Sequence, residues 1–467
     1  MEEKQRIQQD TIAAIATAMT PSGIGIVRIS GENALAVADR VCRTASGKML
    51  VEAESHTLHY GHVFDGENVI DEVMIAIMRA PRSYTREDVV EIDCHGGITV
   101  MHRVLETVLQ HGARLAEPGE FTKRAFLNGR MDLSEAEAVI DLINAKTDMA
   151  RETSLKQLRG SIRHKTEELR AAILYETAYM EAAMDDPEHY DLEGYGAELE
   201  AKTEALLEEA QRILDNSKNG SFLTQGIKTT IIGTPNVGKS SLLNLLAGKE
   251  KAIVTEIAGT TRDTIEETIV LKDLTLIVTD TAGLRKTEDR VEKIGVERSL
   301  ESMREADLVL FVIDGTRALL AEEAEILDRL RDPVEQKPFL VLCNKADLPL
   351  KELEVDLKKQ FGGHLLFISA KTGQGVEQLS DRIREMFFAG RISMNEEICI
   401  TNARQREAMQ EAVKSLTLVK EGIANGMPED LLSVDMMDAY RALGKILGET
   451  VEEDLIDEIF DKFCMGK

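Results

Sequence analysis

The stretch Gly233-Thr234-Pro235-Asn236-Val237-Gly238-Lys239-Ser240 decides the fold of this 467-residue chain. It fits the pattern GxxxxGK[ST], follows a strand-like run (229–232) and precedes a helical pattern (241–247). In that context the glycines let backbone N–H groups surround phosphate oxygens. We predict that Lys239 reaches the β- and γ-phosphates of a nucleotide and that the Ser240 hydroxyl binds Mg²⁺.

Three further motifs follow strand-like runs, in the order that a guanine-nucleotide domain requires. They are Asp280-Thr281-Ala282-Gly283, Asn344-Lys345-Ala346-Asp347 and Ser369-Ala370-Lys371. Asp280 is expected to hold Mg²⁺ through water, and the Gly283 N–H to contact the γ-phosphate. The Asp347 carboxylate can accept two hydrogen bonds from guanine, which adenine cannot donate, so the chain should select GTP over ATP. The four motifs together predict a GTP-binding domain.

The pattern around these motifs predicts an α/β + α fold class. Strand-like runs alternate with helical patterns over 226–390, which is typical of a parallel sheet covered on both faces. The runs are 229–232, 274–278, 308–313, 339–342 and 365–368. Residues 1–130 are a mixture of strand and helix patterns. Helical patterns fill about 131–216, from a capping box at Ser134-Glu135-Ala136-Glu137, and continue from about 403 to the end. The last helix should have one apolar face, formed by Ile456, Ile459, Phe460 and Phe463 at i, i+3, i+4 and i+7. The segment 217–221 is a plausible boundary.

The order of these patterns suggests an α/β unit inserted into a helical domain, because domains with close termini tolerate insertion. We predict an N-terminal domain at 1–130 and the first part of a helical domain at 131–220. A Ras-like P-loop G domain at 221–388 and the second part of the helical domain at 389–467 follow.

The charge balance limits the classes of partner. The chain has 56 Lys and Arg against 83 Asp and Glu, a net charge of −27. Residues 131–220 and 401–467 hold −11 and −6 of it. This argues against a protein that coats nucleic acid unaided. The apolar runs are too short to span a membrane, the N-terminus is charged without an apolar region after it, and the five cysteines form no CxxC pair. A cytoplasmic protein is expected.

Hydrolysis needs a group that orients water, and the residue after the DxxG motif is Leu284, which cannot do so. Candidates nearby are Arg285, Glu288, Asp289 and Glu292. The segment from Ala258 to Asp263 lies where a switch I loop belongs, and Thr261 can supply a second Mg²⁺-binding hydroxyl. Arg262 and Asp263 there could equally form a surface ion pair.

The chain resembles the tRNA-modification GTPases of the MnmE (TrmE) family over essentially its whole length. Besides the G motifs, the resemblance rests on 23–31, on Asp93-Cys94-His95-Gly96-Gly97, on Pro118-Gly119-Glu120-Phe121 with 124–129, and on Phe463-Cys464-Met465-Gly466-Lys467. It implies a GTP hydrolase whose G domains dimerise in a K⁺-dependent way. It also implies that Asn236 and the loop 255–260 bind K⁺, which replaces an arginine finger.

The resemblance, with the motifs, assigns the following residues. The K⁺ ligands would be Asn236, Thr255, Ile257 and Thr260, and the Mg²⁺ ligands Ser240 and Thr261. Catalytic roles would fall to Glu292, which orients water, to Arg262 and Asp263, and to Cys464, whose chemistry is open. The predicted GTP site comprises Asn236, Val237, Gly238, Lys239, Ser240, Ser241, Thr255, Glu256, Ile257, Ala258, Gly259, Thr260, Thr261, Asp280, Thr281, Ala282, Gly283, Asn344, Lys345, Asp347, Ser369, Ala370 and Lys371.

The resemblance further implies folate chemistry in the N-terminal domain, which would also form a homodimer. Arg28, Glu91, Arg130 and Lys467 match the folate contacts, and the ligand would be a 5-formyl or 5,10-methylene tetrahydrofolate. A carboxylate can bind the pterin's amino-pyrimidine edge, and cations can hold the glutamate tail. The other four cysteines, Cys42, Cys94, Cys343 and Cys399, are expected to be structural.

The family acts together with an FAD- and NADH-dependent partner, MnmG (GidA), in a heterotetramer. The pair adds an aminomethyl or carboxymethylaminomethyl group to C5 of wobble uridine in certain tRNAs. Two alternatives stay open: an Era/EngA-type ribosome-assembly switch, and a folate enzyme with an inactive G domain. The acidity fits the leading hypothesis if the partner supplies most of the phosphate-binding surface.

Overall fold

The computed structural model describes residues 10–186, 189, 195–249, 267–279, 303–331, 337–349, 353–388, 398–449, 453–463 and 466. The chain forms two compact units. The first comprises 1–140, 157–175 and 440–467, and the second comprises 141–156 and 176–439. None of the helices in the described ranges is long and apolar enough to cross a membrane.

The described strands and helices are as follows. The strands are β1 Ile12–Ile15, β2 Ser22–Ser30, β3 Cys42–Thr44, β4 Thr57–Asp65, β5 Asn68–Met78, β6 Val89–Gly96, β7 Arg114–Leu115, β8 Ile227–Ile232, β9 Glu267–Leu271, β10 Leu274–Val278, β11 Leu308–Asp314, β12 Phe339–Asn344 and β13 Leu365–Phe367. The helices are α1 Ala34–Val41, α2 Ile98–Gln110, α3 Glu120–Leu127, α4 Leu133–Asn144, α5 Asp148–Leu158, α6 Ser161–Asp185, α7 Tyr195–Gln225, α8 Lys239–Lys249, α9 Ala321–Leu330, α10 Leu353–Phe361, α11 Val376–Phe388, α12 Ala403–Ala424, α13 Glu429–Leu447 and α14 Glu453–Asp461.

A seven-stranded sheet organises the first unit, in the order β3-β4-β5-β6-β2-β1-β7. All its pairings are antiparallel except β1 with β7. Successive side chains of a strand point to opposite faces. Val27 and Ile29 of β2 and Val90 and Ile92 of β6 therefore share one face, where they form a core with residues of α1 and α2. Arg28 and Glu91 take the intervening positions on the other face.

The start of α4 differs from the predicted capping box. Asp132 is the capping residue: its Oδ1 accepts the N–H of Glu135 at 2.9 Å, and Glu135 Oε2 accepts the N–H of Asp132 at 3.0 Å. Ser134 lies inside the helix and donates its hydroxyl to Asp132 Oδ1 at 2.6 Å. The predicted capping box at Ser134 and Glu137 was therefore wrong by two positions. Asp132 and Glu135 have the same i, i+3 spacing and form the cap instead.

The last helix packs as the sequence predicted. Ile456, Phe460 and Phe463 are buried, with Ile459 beside them, in a cluster that includes Ala125 of α3 and Leu133 and Ala136 of α4. The loop before α3 makes room for this contact at Gly119. That residue has φ +67°, and a Cβ there would lie 2.6 Å from the carbonyl oxygen of Phe460.

The second unit contains a six-stranded sheet in the order β13-β12-β11-β8-β10-β9. Its strands are parallel except for the antiparallel pair of β9 and β10. Every residue of β11 is buried, as expected for a central strand with helices on both faces. The predicted strands at 229–232, 274–278, 308–313, 339–342 and 365–368 are confirmed with small shifts of their ends, whereas β9 was not predicted.

The helical segments on both sides of this sheet pack on each other, as predicted for an inserted α/β unit. Helix α7 lies along α12, and Lys420 forms an exposed ion pair with Glu204. The helical pattern predicted to about 216 was too short, because α7 continues through the segment 217–221 to Gln225. Gly220 serves close packing there: a Cβ would lie 2.2 Å from the carbonyl oxygen of Ile400.

We predict that Gly119→Ala destabilises the chain more than Gly66→Ala. Both glycines have φ near +60°, so each alanine carries a similar backbone strain of about 1–2 kcal/mol. Only at Gly119 does the new methyl group collide with α14, because nothing lies within 4 Å of a Cβ at Gly66. The extra crowding should cost about 1–3 kcal/mol. Calorimetry should show a lower unfolding midpoint for Gly119→Ala, with faster proteolysis near α14; equal midpoints would contradict this packing.

Candidate functional site

The phosphate-binding loop connects the end of β8 to the start of α8 in the second unit. Three of its residues have a positive φ, Gly233 with +151°, Asn236 with +63° and Gly238 with +101°. A Cβ at Gly238 would lie 2.2 Å from Asn344 Nδ2, so the loop closes only with glycine there. The turn and the helix N-terminus behind it provide the backbone N–H groups that a phosphate requires. This part of the site fits a nucleotide.

Lys239 begins α8 and folds back over the loop. Its Nζ donates to the carbonyl oxygens of Gly233 at 2.6 Å and of Thr234 at 2.9 Å. Burial lowers the pKa of the Lys239 ammonium below its usual value. An ammonium group has three N–H donors, and the two carbonyls take two of them. The third is therefore available to a phosphate oxygen.

Asn344 joins the phosphate-binding loop to the loops that should hold the base. Its Nδ2 donates to the carbonyl oxygen of Val237 at 2.7 Å, and its Oδ1 accepts the N–H of Ala370 at 2.9 Å. Asn344 is buried, at 2% exposure, so both hydrogen bonds lie away from water. The structure thus brings together three of the predicted motifs, those at 233–240, 344–347 and 369–371, at the carboxyl ends of β8, β12 and β13.

Asp347 is exposed, with its carboxylate oriented by the next motif. The Ser369 hydroxyl donates to Asp347 Oδ1 at 2.7 Å. This hydrogen bond lowers the pKa of Asp347, and the charge of Lys371 adds to the effect. The remaining carboxylate oxygen can accept from a ligand. A base with two adjacent N–H donors, such as guanine, suits an ionised carboxylate in this position.

Asp314, at the end of β11, is a further residue of this site that sequence reasoning missed. Its Oδ2 lies 2.6 Å from the Nζ of Lys345, and its Oδ1 accepts from the N–H and hydroxyl of Thr316. Burial alone raises the pKa of Asp314, but the hydrogen bonds from Lys345 and Thr316 bring it below its usual value. The sequence could have indicated Asp314, because it is an acidic residue at the carboxyl end of an otherwise apolar strand. The other motifs of the site also follow the carboxyl ends of strands.

Other predicted site residues lie outside the described residues. They are Thr255, Glu256, Ile257, Ala258, Gly259, Thr260, Thr261, Arg262, Asp263, Asp280, Thr281, Ala282, Gly283, Glu292, Cys464 and Lys467. Of the predicted metal ligands, the structure describes Ser240 in the first turn of α8 and the exposed Asn236. Both offer hard oxygen donors of the kind that Mg²⁺ and K⁺ prefer. These two positions fit the ions, although they form only part of each ligand set.

Two of the predicted folate residues, Arg28 and Glu91, lie on the face of the first unit's sheet opposite the α1–α2 core. Arg28 Nε donates to Glu91 Oε1 at 2.7 Å across the paired strands β2 and β6. Arg28 Nη1 donates to the carbonyl oxygen of Gly466 at 3.2 Å, so the backbone of Gly466 lies beside this pair. A cation, a carboxylate and a backbone carbonyl therefore meet at this place, and the folate assignment stays a prediction.

Tyr84 completes this group and was not predicted. The guanidinium carbon of Arg130 lies 4.5 Å from the centre of the Tyr84 ring, and that of Arg28 lies 5.6 Å from it. Arg130 Nη1 also donates to the Tyr84 carbonyl oxygen at 2.7 Å. The same ring is thus within cation–π distance of both cations. A single tyrosine in a loop gives no signal in the sequence.

Asp93 is the second residue that the sequence did not single out here, although it lies within a quoted signature. It follows Glu91 by two positions on β6 and therefore shares its face. Its Oδ1 is buried and has no hydrogen-bond partner among the described residues. Burial raises the pKa of Asp93, and the neighbouring Glu91 charge raises it further. An unsatisfied buried carboxyl oxygen fits a ligand that brings N–H donors.

The four cysteines in the described part of the chain are thiols and form no disulfide. Cys42, Cys94 and Cys343 are buried, and Cys399 is half-buried. Burial raises the pKa of Cys42 to about 12 and that of Cys94 to about 11. Thiols with such pKa values do not ionise near neutral pH and are unreactive. The raised pKa values agree with the structural role predicted for Cys42 and Cys94.

Comparison with known proteins identifies the family. A family model described as "GTP-binding protein TrmE N-terminus" matches residues 11–130, and one described as "MnmE helical domain" matches residues 133–464. The chain belongs to the MnmE family. MnmE-family matches over nearly the whole chain favour this assignment over the Era/EngA-type switch that the G motifs alone left open.

Curated members of the MnmE family are similar along their full length. The "tRNA modification GTPase MnmE" of Lachnoclostridium phytofermentans (strain ATCC 700394 / DSM 18823 / ISDg) is 54% identical over 462 residues, which cover 99% of this chain and 100% of that protein. The protein of the same description from Clostridioides difficile (strain 630) is 48% identical over 460 residues, which cover 98% of this chain and 99% of that protein. These matches agree with the predicted α/β + α fold class. Along the chain, the N-terminal region comes first, and the region matched by the helical-domain model follows and includes the six-stranded sheet of the P-loop unit.

We predict that Gly238→Ala abolishes guanine-nucleotide binding while Gly248→Ala preserves it. The alanine at 238 would require φ +101° and would push Asn344 from the loop, whereas a Cβ at 248 meets open space. The affinity for a fluorescent GDP analogue should fall about 100-fold or more for Gly238→Ala, equivalent to about 3 kcal/mol. Circular dichroism should show both variants folded. Equal affinities of the two variants would contradict the role given to Asn344.

Proposed function

We propose that this chain hydrolyses GTP as part of a tRNA wobble-uridine modification complex. The single observation that carries the proposal is the bridge through Asn344, which links the phosphate-binding loop with the base-binding loops. Membership of the MnmE family supports it, because the curated relatives are described as tRNA modification GTPases. We retain the domain boundaries of 1–130, 131–220, 221–388 and 389–467 as part of this proposal.

The chain's own residues would bind GTP at both ends. Lys239 would donate its third N–H to the phosphates, and the loop N–H groups would bind the oxygens around it. Asp347, oriented by Ser369, would accept the two N–H groups of guanine. Ser240 and Thr261 would hold Mg²⁺, which neutralises charge on the phosphates when bound. The complete site is the one named above from Asn236 to Lys371.

The attacking water would be oriented by Glu292, because the residue after DxxG is Leu284. Arg262 and Asp263 would support the reaction from the switch I segment. Asn236, Thr255, Ile257 and Thr260 would hold K⁺, whose charge compensates the phosphates as an arginine finger does in other GTPases. The exposed position of Asn236 supports this part of the proposal, because an ion bound there can also meet a second G domain.

The first unit would bind a 5-formyl or 5,10-methylene tetrahydrofolate, which supplies the one-carbon unit. Glu91, together with Asp93, would accept N–H donors from the pterin, and Arg28, Arg130 and Lys467 would hold the carboxylates. Tyr84 gives a flat aromatic surface beside both arginines. Cys464, which lies outside the described residues and two positions before Gly466 in the sequence, would take part in this chemistry.

The complete system would be a cytoplasmic homodimer that forms a heterotetramer with an FAD- and NADH-dependent MnmG (GidA) protein. The product would be tRNA with an aminomethyl or carboxymethylaminomethyl group at C5 of the wobble uridine. A net charge of −27 disfavours tight tRNA binding by this chain alone. The partner would then provide most of the cationic surface for tRNA.

The most direct test is to delete the gene and measure tRNA nucleosides by mass spectrometry. We expect the 5-substituted wobble uridines to disappear and the wild-type gene to restore them. Lys239→Ala should not restore them, because the phosphate contact is lost, and Arg28→Ala should not, because the folate site is broken. Arg103→Ala, a half-exposed arginine on the same unit, is the control and should restore them fully. Normal modification in the deletion strain would refute the proposed function.

We also expect GTP hydrolysis to be faster in K⁺ than in Na⁺, by about tenfold or more, because Na⁺ is too small for the same ligand set. Asn236→Ala should remove the difference between the two salts. Asn244→Ala, an exposed asparagine on α8, should keep it. The measurement is phosphate release at matched ionic strength. Equal wild-type rates in both salts would exclude the K⁺ site, and no hydrolysis in either would favour an inactive G domain.

A further inference from the structure

The second residue of the phosphate-binding loop, Thr234, has a side chain with a buried partner that lies 89 positions away. Its hydroxyl donates to Glu323 Oε1 at 2.6 Å. The same oxygen of Thr234 accepts from Arg317 Nη2 at 3.1 Å. Thr234 is 7% exposed and Glu323 is fully buried, so the contact excludes water. A threonine at this variable position of the motif therefore has a defined role.

Glu323 is held in place independently of Thr234. Arg317 donates to both of its carboxylate oxygens, at 2.7 and 2.9 Å, and the N–H of Leu320 donates to Oε2 at 3.0 Å. The last contact fixes the carboxylate to the first turn of α9, whose N-terminus favours negative charge. Burial alone raises the pKa of Glu323, but the hydrogen bonds from Arg317, Leu320 and Thr234 bring it below its usual value. The carboxylate is therefore charged and fully hydrogen-bonded.

Thr234 connects this carboxylate to the nucleotide-binding lysine. Its own carbonyl oxygen accepts from Lys239 Nζ at 2.9 Å, beside the carbonyl of Gly233 at 2.6 Å. Rotation of the Thr234 peptide would move this carbonyl oxygen and hence the ammonium. The bond from the Thr234 hydroxyl to the Glu323 carboxylate restrains that rotation. A charged partner makes such a hydrogen bond about twice as strong as a neutral one.

We propose that Glu323 is a positioning residue for GTP binding, which acts through Thr234 to fix the carbonyl groups that orient Lys239. Arg317 orients the Glu323 carboxylate so that Oε1 can accept the hydrogen bond from the Thr234 hydroxyl. The inference rests on the proposed GTP site. None of the three residues needs to touch the nucleotide. Their effect should appear in nucleotide affinity and hydrolysis rather than in the stability of the fold alone.

The test compares Thr234→Val, which keeps the shape but removes the hydroxyl, with Thr234→Ser, which keeps the hydroxyl. For Thr234→Val we expect the affinity for a fluorescent GDP analogue to fall about tenfold, the usual effect of losing a hydrogen bond to a charged group. For Thr234→Ser it should stay within about threefold of the wild type. Glu323→Gln should weaken binding similarly, and Glu325→Gln, an exposed glutamate on the same helix, should leave it unchanged.

A double variant distinguishes positioning from loss of stability. If Glu323 acts through Thr234, Thr234→Val with Glu323→Gln should bind no more weakly than the worse single variant, and the melting temperature of Thr234→Val should match that of Thr234→Ser. Wild-type affinity in Thr234→Val, or fully additive losses in the double variant, would overturn the inference. Failure of the GTP site itself would look different, since neither the wild type nor Lys239→Ala would then bind the analogue.

Discussion

The amide of Asn344 is the interaction on which the nucleotide site depends. It satisfies the carbonyl of Val237 and the N–H of Ala370, two backbone groups from different loops. A backbone polar group buried without a partner costs free energy, so loss of this side chain should destabilise the closed arrangement of both loops. Only an amide has a donor and an acceptor side by side in this geometry. One residue thereby fixes the phosphate end and the base end of the site together.

Each of the two units has ion pairs at its proposed site, in which a carboxylate is held by a cationic side chain. In the second unit Asp314 pairs with Lys345 and Glu323 pairs with Arg317. In the first, Glu91 pairs with Arg28. The pairs sit beside proposed ligand positions, whereas the acidic surplus of the chain is concentrated in the helical segments 131–220 and 401–467. Most of the net negative charge thus belongs to the helical segments, so the net charge does not predict the charge at the proposed sites.

The sequence pattern predicted strands and helices well where neighbouring residues by themselves favour one backbone conformation. The strands of the G unit and the last helix are examples, since runs of apolar residues and an i, i+3, i+4, i+7 spacing are local properties. The errors came where two local explanations competed. Ser134 and Asp132 both have cap spacing, and Gly220 looked like a helix end although it serves a close contact with Ile400. Strand β9 depends on its pairing with β10 and has no strong pattern of its own.

The sequence by itself determined the G motifs and the parallel sheet that carries them. Their spacing dictates loop geometry directly, and each motif is a few consecutive residues. Only the tertiary structure decided which other side chains serve the sites. Glu323 and Thr234 are 89 positions apart, and the ring of Tyr84 contacts both Arg28 and Arg130. Such partners meet because strands and helices distant in the chain pack together, and a contact of this kind leaves no regular spacing in the sequence.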